Sequence, residues 1–168
     1  MAYEFYVSIE AATQGKFHGE SPKKDQAQKI PGLAFHYEVV SPRDPASGLP
    51  SGKRQHKPIS FVKEWGAATP QLFQALVTNE NLKTVKFEFL QVDKTTGKEG
   101  VYFTIDLTNA TVADIKQSSG SADGADAAKH SSSQGIKELE TITLAFQKIT
   151  LTYVKDKTSA MDDWESQR

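Results

Sequence analysis

Val85-Lys86-Phe87-Glu88-Phe89, then Asp93-Lys94-Thr95-Thr96-Gly97-Lys98, then Val101-Tyr102-Phe103-Thr104-Ile105-Asp106-Leu107 is the stretch that decides the fold. Apolar and polar side chains alternate with period two on both sides of a turn-forming hexapeptide, the signature of a half-buried antiparallel hairpin. Gly97 supplies the positive φ that such a connection needs. Tyr3, Phe5, Val7 and Ile9 repeat the alternation near the N-terminus. Farther on, Ile142, Leu144 and Phe146 are apolar on even positions, but Ile149, Leu151 and Tyr153 on odd ones. The inward face therefore changes across Gln147-Lys148, and a β-bulge or barrel corner is expected there. Six of the seven prolines lie between Pro22 and Pro58, so long loops and strand ends belong to that region and regular strands to residues 84–155. One helix is predicted, about Thr69 to Thr78, with Thr69 as N-cap, Pro70 in the first helical position and Leu72, Phe73, Leu76 and Val77 as its apolar residues.

The 168 residues suit one domain, and 38 % apolar residues suffice for a core without disulfides, in keeping with the absence of cysteine. Twenty basic against 21 acidic residues give a net charge of -1, which removes the electrostatic case for nucleic acid. No window of 18 apolar residues exists and the N-terminus lacks a basic start with an apolar run, so neither a membrane span nor a cleavable signal is expected, and synthesis is expected in the cytoplasm. Between Ser118 and Gly135, Ser, Gly and Ala make up 13 of 18 residues, the composition of a mobile loop.

No stretch assembles a catalytic site. His18, His36, His56 and His130 are scattered, without an HExxH pair. Gly52-Lys53 have the relative placement of a phosphate-binding loop, yet Ser47 stands where a glycine is required and Arg54 where a hydroxyl must hold magnesium. Gly19-Glu20-Ser21 lacks the second glycine of a nucleophile elbow, because residue 23 is Lys. Asn109-Ala110-Thr111 matches a glycosylation sequon without an export signal to make use of it. No cofactor or metal is expected, and the chain is not expected to be an enzyme.

Two regions invite a binding role. The extended loop from Pro42 to Lys57 carries Arg43, Lys53, Arg54 and Lys57 against Asp44 alone, a net charge of +3, and His56 stands among them. Long ordered loops in compact domains are usually functional, and Asp162, Asp163 and Glu165 around Trp164 form a candidate acidic partner surface on another copy of the chain. Leu33 to Val40 alternates, with Leu33, Phe35, Tyr37 and Val39 toward the core and Ala34, His36, Glu38 and Val40 on a small or polar second face.

The order of several motifs resembles the haemolysin-coregulated protein (Hcp) family of type VI secretion tube proteins. Those motifs are Gly19-Glu20-Ser21; the loop from Asp44 through Ser47-Gly48-Leu49-Pro50-Ser51-Gly52-Lys53-Arg54-Gln55-His56-Lys57-Pro58; Ala68-Thr69-Pro70-Gln71-Leu72; Leu107-Thr108-Asn109-Ala110-Thr111-Val112; and Asp162-Asp163-Trp164. The resemblance runs over almost the whole chain and implies a mainly β fold: a compact antiparallel two-sheet β-barrel with one short flanking helix. It further implies a homohexameric ring with a wide channel and stacking of rings into an inner tube. Sheath, spike and effector proteins would be the other partners, and secretion would run through the type VI system. In that setting Ala34, His36 and Glu38 would face the lumen, while Arg43, Lys53, Arg54, His56 and Lys57 would form the ring-stacking loop. A monomeric ligand-binding barrel is the alternative, separable by light scattering, and would require an apolar cavity; a hydrolase would require a nucleophile with a base.

Overall fold

The computed structural model describes residues 4–119 and 138–164. The strands are β1 (Phe5–Ala11), β2 (Gly15–Lys16), β3 (Ile30–Gly32), β4 (Ala34–His36), β5 (Val39–Val40), β6 (Gln55–His56), β7 (Ile59–Glu64), β8 (Leu82–Val92), β9 (Glu99–Ser118), β10 (Leu139–Tyr153) and β11 (Thr158–Asp163), with helix α1 (Ala68–Thr78) between β7 and β8. Nine strands form one antiparallel sheet in the order β2-β1-β8-β9-β10-β7-β4, with β3 on β1 and β11 on β10; β5 and β6 make a separate ribbon. Residues 30–36 are the seam of the barrel. Their first half pairs with β1 and their second with β7, strands from the two ends of the sheet.

The hairpin read from the sequence is β8–β9. Asp93 ties its turn by accepting Gly97 N–H on its carbonyl at 2.7 Å and Thr95 N–H on its carboxylate at 2.7 Å, and Gly97 has φ +69°. Val85, Phe87, Ile105 and Leu107 are buried, while Val101 and Phe103 are half-buried. Phe5, Phe35, Phe61, Phe87 and Phe89 pack edge-on, tilted or stacked at centroid separations of 5.1 to 6.5 Å, the range in which aromatic quadrupoles attract.

The expected change of inward face spans a whole row of the sheet. On β10 the buried set passes from Leu144 to Ile149, on β9 from Leu107 to Ala110, and on β8 from Leu82 to Val85. Asn109, on that row, takes the left-handed φ of +52° and donates its side-chain amide to Gln147 Oε1 at 2.8 Å. Asparagine tolerates this region better than other residues with a Cβ. Here β10 also exchanges one neighbour for another: 139–144 pair with β7 and 148–153 with β11. The registered bulge itself lies four residues before Gln147-Lys148, at Thr143/Leu144.

Several expectations are corrected. Helix α1 starts one residue before Thr69, which is no N-cap: its hydroxyl accepts Gly66 N–H at 3.0 Å and donates to Glu140 Oε1 at 2.8 Å. Glu20 takes the capping role from outside the helix, accepting Ala67 N–H at 2.8 Å. Pro70 is the third helical residue, still within the turn whose N–H groups lack intrahelical partners. Only Ala68, Leu72 and Ala75 are buried, leaving Phe73 and Val77 exposed because the helix presents its small-residue stripe to the barrel. Residues 33–40 are not one strand: Leu33 sits where the chain leaves β1 for β7, and Val39 lies in the detached ribbon, so both are exposed. Ser118 ends β9 rather than opening a loop; residues 120–135 of the predicted loop, Tyr3 and Glu165 lie outside the described residues.

Beneath α1, Lys63 Nζ meets Glu140 Oε1 at 2.5 Å with both side chains essentially inaccessible, at 2 % and 0 % exposure. Glu140 Oε2 accepts from Gln117 at 3.0 Å, and Lys63 also donates to the Glu64 carbonyl at 2.9 Å. The pair thereby joins β7, β9, β10 and the first turn of α1.

Candidate functional site

The loop over 42–57 is a built arm. Its two-residue root is the β5–β6 ribbon, with Val39 opposite His56 and Val40 opposite Gln55. Above that, Ser51 N–H bonds the Pro42 carbonyl at 2.9 Å, Arg43 and Pro50 form a bridge, and Asp44 N–H bonds the Leu49 carbonyl at 2.9 Å. Asp44 knits the tip: its carbonyl accepts Gly48 N–H, and its carboxylate accepts Ala46 N–H at 3.0 Å and the Ser47 hydroxyl at 2.8 Å. Those bonds, the Ala46 N–H first, hold the Asp44 carboxyl below its usual range. Gly48, at φ +72°, is the left-handed residue the turn requires.

At the root, the arm is tied to the chain's own C-terminal strand. Arg54 grips Asp162 through Nε at 2.5 Å and Nη2 at 2.7 Å, and also donates to the Asp163 carbonyl at 3.0 Å. His56, with its side chain 5 % exposed, meets Asp162 Oδ2 through Nε2 at 2.5 Å and Tyr37 Oη through Nδ1 at 2.7 Å. A carboxylate only accepts, so in the neutral ring Nε2 carries the proton and Nδ1 accepts from the phenol. Phe146 and Trp164 flank the imidazole at 5.6 and 5.4 Å. The Arg54 fork pulls Asp162 down to about 2 against the opposing effect of burial, with His56 adding to the pull. Burial, then the charge of Asp162, pushes the Tyr37 phenol up.

Asp162, expected to face the arm of another copy, is thus satisfied by the arm of its own chain. Lys57 is likewise matched by Glu38 at 3.0 Å. The residues read as a second face behave as follows: Ala34 is half-buried, His36 is 72 % exposed at the side chain, and Glu38 is exposed with Oε2 4.0 Å from His36 Nε2. Phe35 between them packs on Phe5 and Phe87. The described residues contain no group of three or more His, Asp or Glu that could hold a metal ion, and none of their helices is long and apolar enough to cross a membrane.

Residues 6–153 match the family model described as "Type VI secretion system effector, Hcp". The chain belongs to the Hcp family. A relative among curated proteins, the "Major exported protein" of Pseudomonas aeruginosa, is 30 % identical to this Hcp-family chain over 99 % of it and 98 % of the relative. Among solved structures, one described as an Hcp protein shares 27 % identity and a TM-score of 0.83, covering 97 % of this chain and 100 % of the other. Hcp1 from E. coli EAEC 042, in a doubly mutated form, has a TM-score of 0.82 at 24 % identity, with 97 % and 99 % covered. Hcp proteins are exported components of type VI secretion, and the mainly β architecture of this chain is theirs.

Sequence reading missed two groups. The tie between Arg54 and Asp162 spans 108 positions, and only the conjunction of a basic loop with an acidic terminus hinted at it. Lys63 shares the inward parity of Ile59 and Phe61, and a charge at such a position signals a buried partner.

Proposed function

We propose that this Hcp-family chain forms hexameric rings that stack into the inner tube of a type VI secretion apparatus and hold effectors in the lumen, with Ala34, His36 and Glu38 on the lumen wall. The observation that carries this reading is the arm over 42–57. A loop with its own stem, a tip bonded through Asp44 and a root clamped at Asp162 has lost its conformational freedom, yet its Leu49 is 65 % exposed. Ordering exposed residues costs about 1 to 2 kcal/mol each, and such a projection makes sense when something receives it. Arg54, His56 and Lys57 then act at the root, holding the arm, while Arg43 and Lys53 lie nearer the tip.

Light scattering and electron microscopy of the purified protein test the reading. Particles of six times the 18.5 kDa chain mass, seen as rings with an open centre and as stacks at higher concentration, are expected; a monomer at every concentration refutes it. In intact rings His36 should remain open to histidine-modifying reagents, and protection from them would remove it from the lumen wall.

A further inference from the structure

Two segments far apart in the chain depend on each other for their order. Neither the arm with its stem, 39–57, nor β11 places a side chain in the hydrophobic core. Strand β11 has β10 along one edge and, among the described residues, no strand along the other, and its Thr158, Ser159, Ala160 and Met161 are all exposed. The arm stands on a ribbon of two residue pairs, and an isolated two-stranded hairpin is marginal at best in water. Burial alone therefore orders neither element.

The remaining contacts join the two. Arg54 and His56 both end on Asp162, Arg54 also reaches the Asp163 carbonyl, and Trp164 lies against the His56 ring at 5.4 Å. On its other side β11 is seated at the barrel corner by Gln147, whose carbonyl accepts Trp164 N–H at 2.9 Å and whose amide donates to Asp163 Oδ1 at 3.4 Å. When β11 leaves β10, Arg54 and His56 Nε2 lose these acceptors and Trp164 uncovers the imidazole. When the arm melts, Asp162 loses its counter-charge and the strand is left on one ladder of mostly exposed residues. We propose that β11 is a latch: the arm and β11 order and disorder as one unit on a barrel that stays folded, so whatever draws the C-terminal strand off β10 turns the arm from a rigid projection into a loose loop. Weakly buried segments open in such cooperative units below global unfolding. The coupling is reciprocal, so loosening either end loosens the other. Its contacts lie within one chain, and it holds whether or not rings form.

Amide exchange on the full chain, at a concentration where light scattering shows no stacks, tests the latch with variants placed outside the clamp. Trp164 and Gln147 form a bonded pair, and bonded pairs alternate along an antiparallel ladder, so in the observed register Ala160 N–H donates to Leu151. Ala160→Pro deletes that rung from an exposed position. Exchange in 158–163 should rise by about tenfold or more. The Asp44, Gly48 and Ser51 amides, bonded within the arm, should rise by the same factor, while the amides of β8 and β9 keep their rates. The converse variant, Asp44→Ala, removes the carboxylate bonds of the tip and should speed exchange in 158–163, which it does not touch. Arm amides unchanged by Ala160→Pro, or β11 amides unchanged by Asp44→Ala, overturn the latch. A rise shared by β8 and β9 overturns it as well, because the opening unit is then the whole barrel. If Ala160→Pro does not fold, Asp44→Ala, which lies outside the core, decides alone.

Discussion

Replacing Glu140 with Gln removes the counter-charge of Lys63 while keeping the size of the side chain. The ammonium is left in a site with 2 % exposure, and breaking a buried pair by removing one partner typically costs about 3 to 5 kcal/mol. An amide at position 140 also presents a donor to Gln117, whose own amide now donates to Oε2 at 3.0 Å, so the upper part of that range is expected. The exposed Lys57–Glu38 pair is the internal contrast: Glu38→Gln should cost at most about 1 kcal/mol. Urea unfolding at one fixed protein concentration measures both, because the proposed assembly would make apparent stability depend on concentration. With a slope near 2 kcal/mol per molar, the Glu140→Gln midpoint should fall by about 2 to 2.5 M. The double variant Lys63→Met with Glu140→Leu should regain most of that loss, since an apolar pair avoids desolvating two charges. A Glu140→Gln midpoint within about 0.3 M of the parent, or a double variant no better than the single one, would refute the account of the pair as a coupled buried unit.

Gly32→Ala places a Cβ 2.0 Å from the Phe5 ring and should cost about 1 to 3 kcal/mol of stability by overpacking, read from the same urea curves. Asn109→Val should cost about 1 to 2 kcal/mol because a β-branched residue must adopt the left-handed φ, whereas Asn109→Gly should be far milder; equal effects would show that the corner does not depend on that backbone angle. Asp162→Asn should speed amide exchange in 55–56 and 158–163 by about tenfold or more, and unchanged exchange would argue against a clamp at the root. The folded-state pKa of Asp162 is depressed to about 2, so its stabilising contribution is complete above the unfolded value near 3.9 and is lost as the pH falls from about 4 to about 2. Glu80 works in the same direction: burial would raise it, but hydrogen bonds from Gln14 and Thr13 prevail and lower it. Protection of the root amides relative to their intrinsic exchange rates should therefore be flat from pH 7 to about 5 and fall below about pH 4.

The β8–β9 hairpin was legible because its alternation, its turn and its glycine all lie within 23 consecutive residues, and each local preference agrees with the tertiary answer. The reversal of inward face on β10 was legible for the same reason, although the left-handed Asn109 beside it on the adjacent strand was hidden behind its match to a glycosylation sequon. Thr69 misled because a cap is a statement about the backbone, and a hydroxyl engaged by Glu140 from 71 positions away outweighs local preference. Leu33 and Val39 misled because alternation cannot reveal that the strand changes partner or leaves the barrel. The arm was visible as a charged, proline-rich loop, but which of its charges hold the root could not be known until Asp162 was placed against Arg54.

The clamp at Asp162 also fixes where the chain can be extended. Trp164 lies tilted against His56 at the base of the arm, and Glu165, Ser166, Gln167 and Arg168 come directly after it. Four residues reach at most about 14 Å, so an affinity tag or fused cargo appended after Arg168 begins within that distance of the arm's root. Even a folded fusion partner small enough to spare the barrel would crowd the approach of a neighbouring copy, and purification handles placed there should be cut away before assembly is judged.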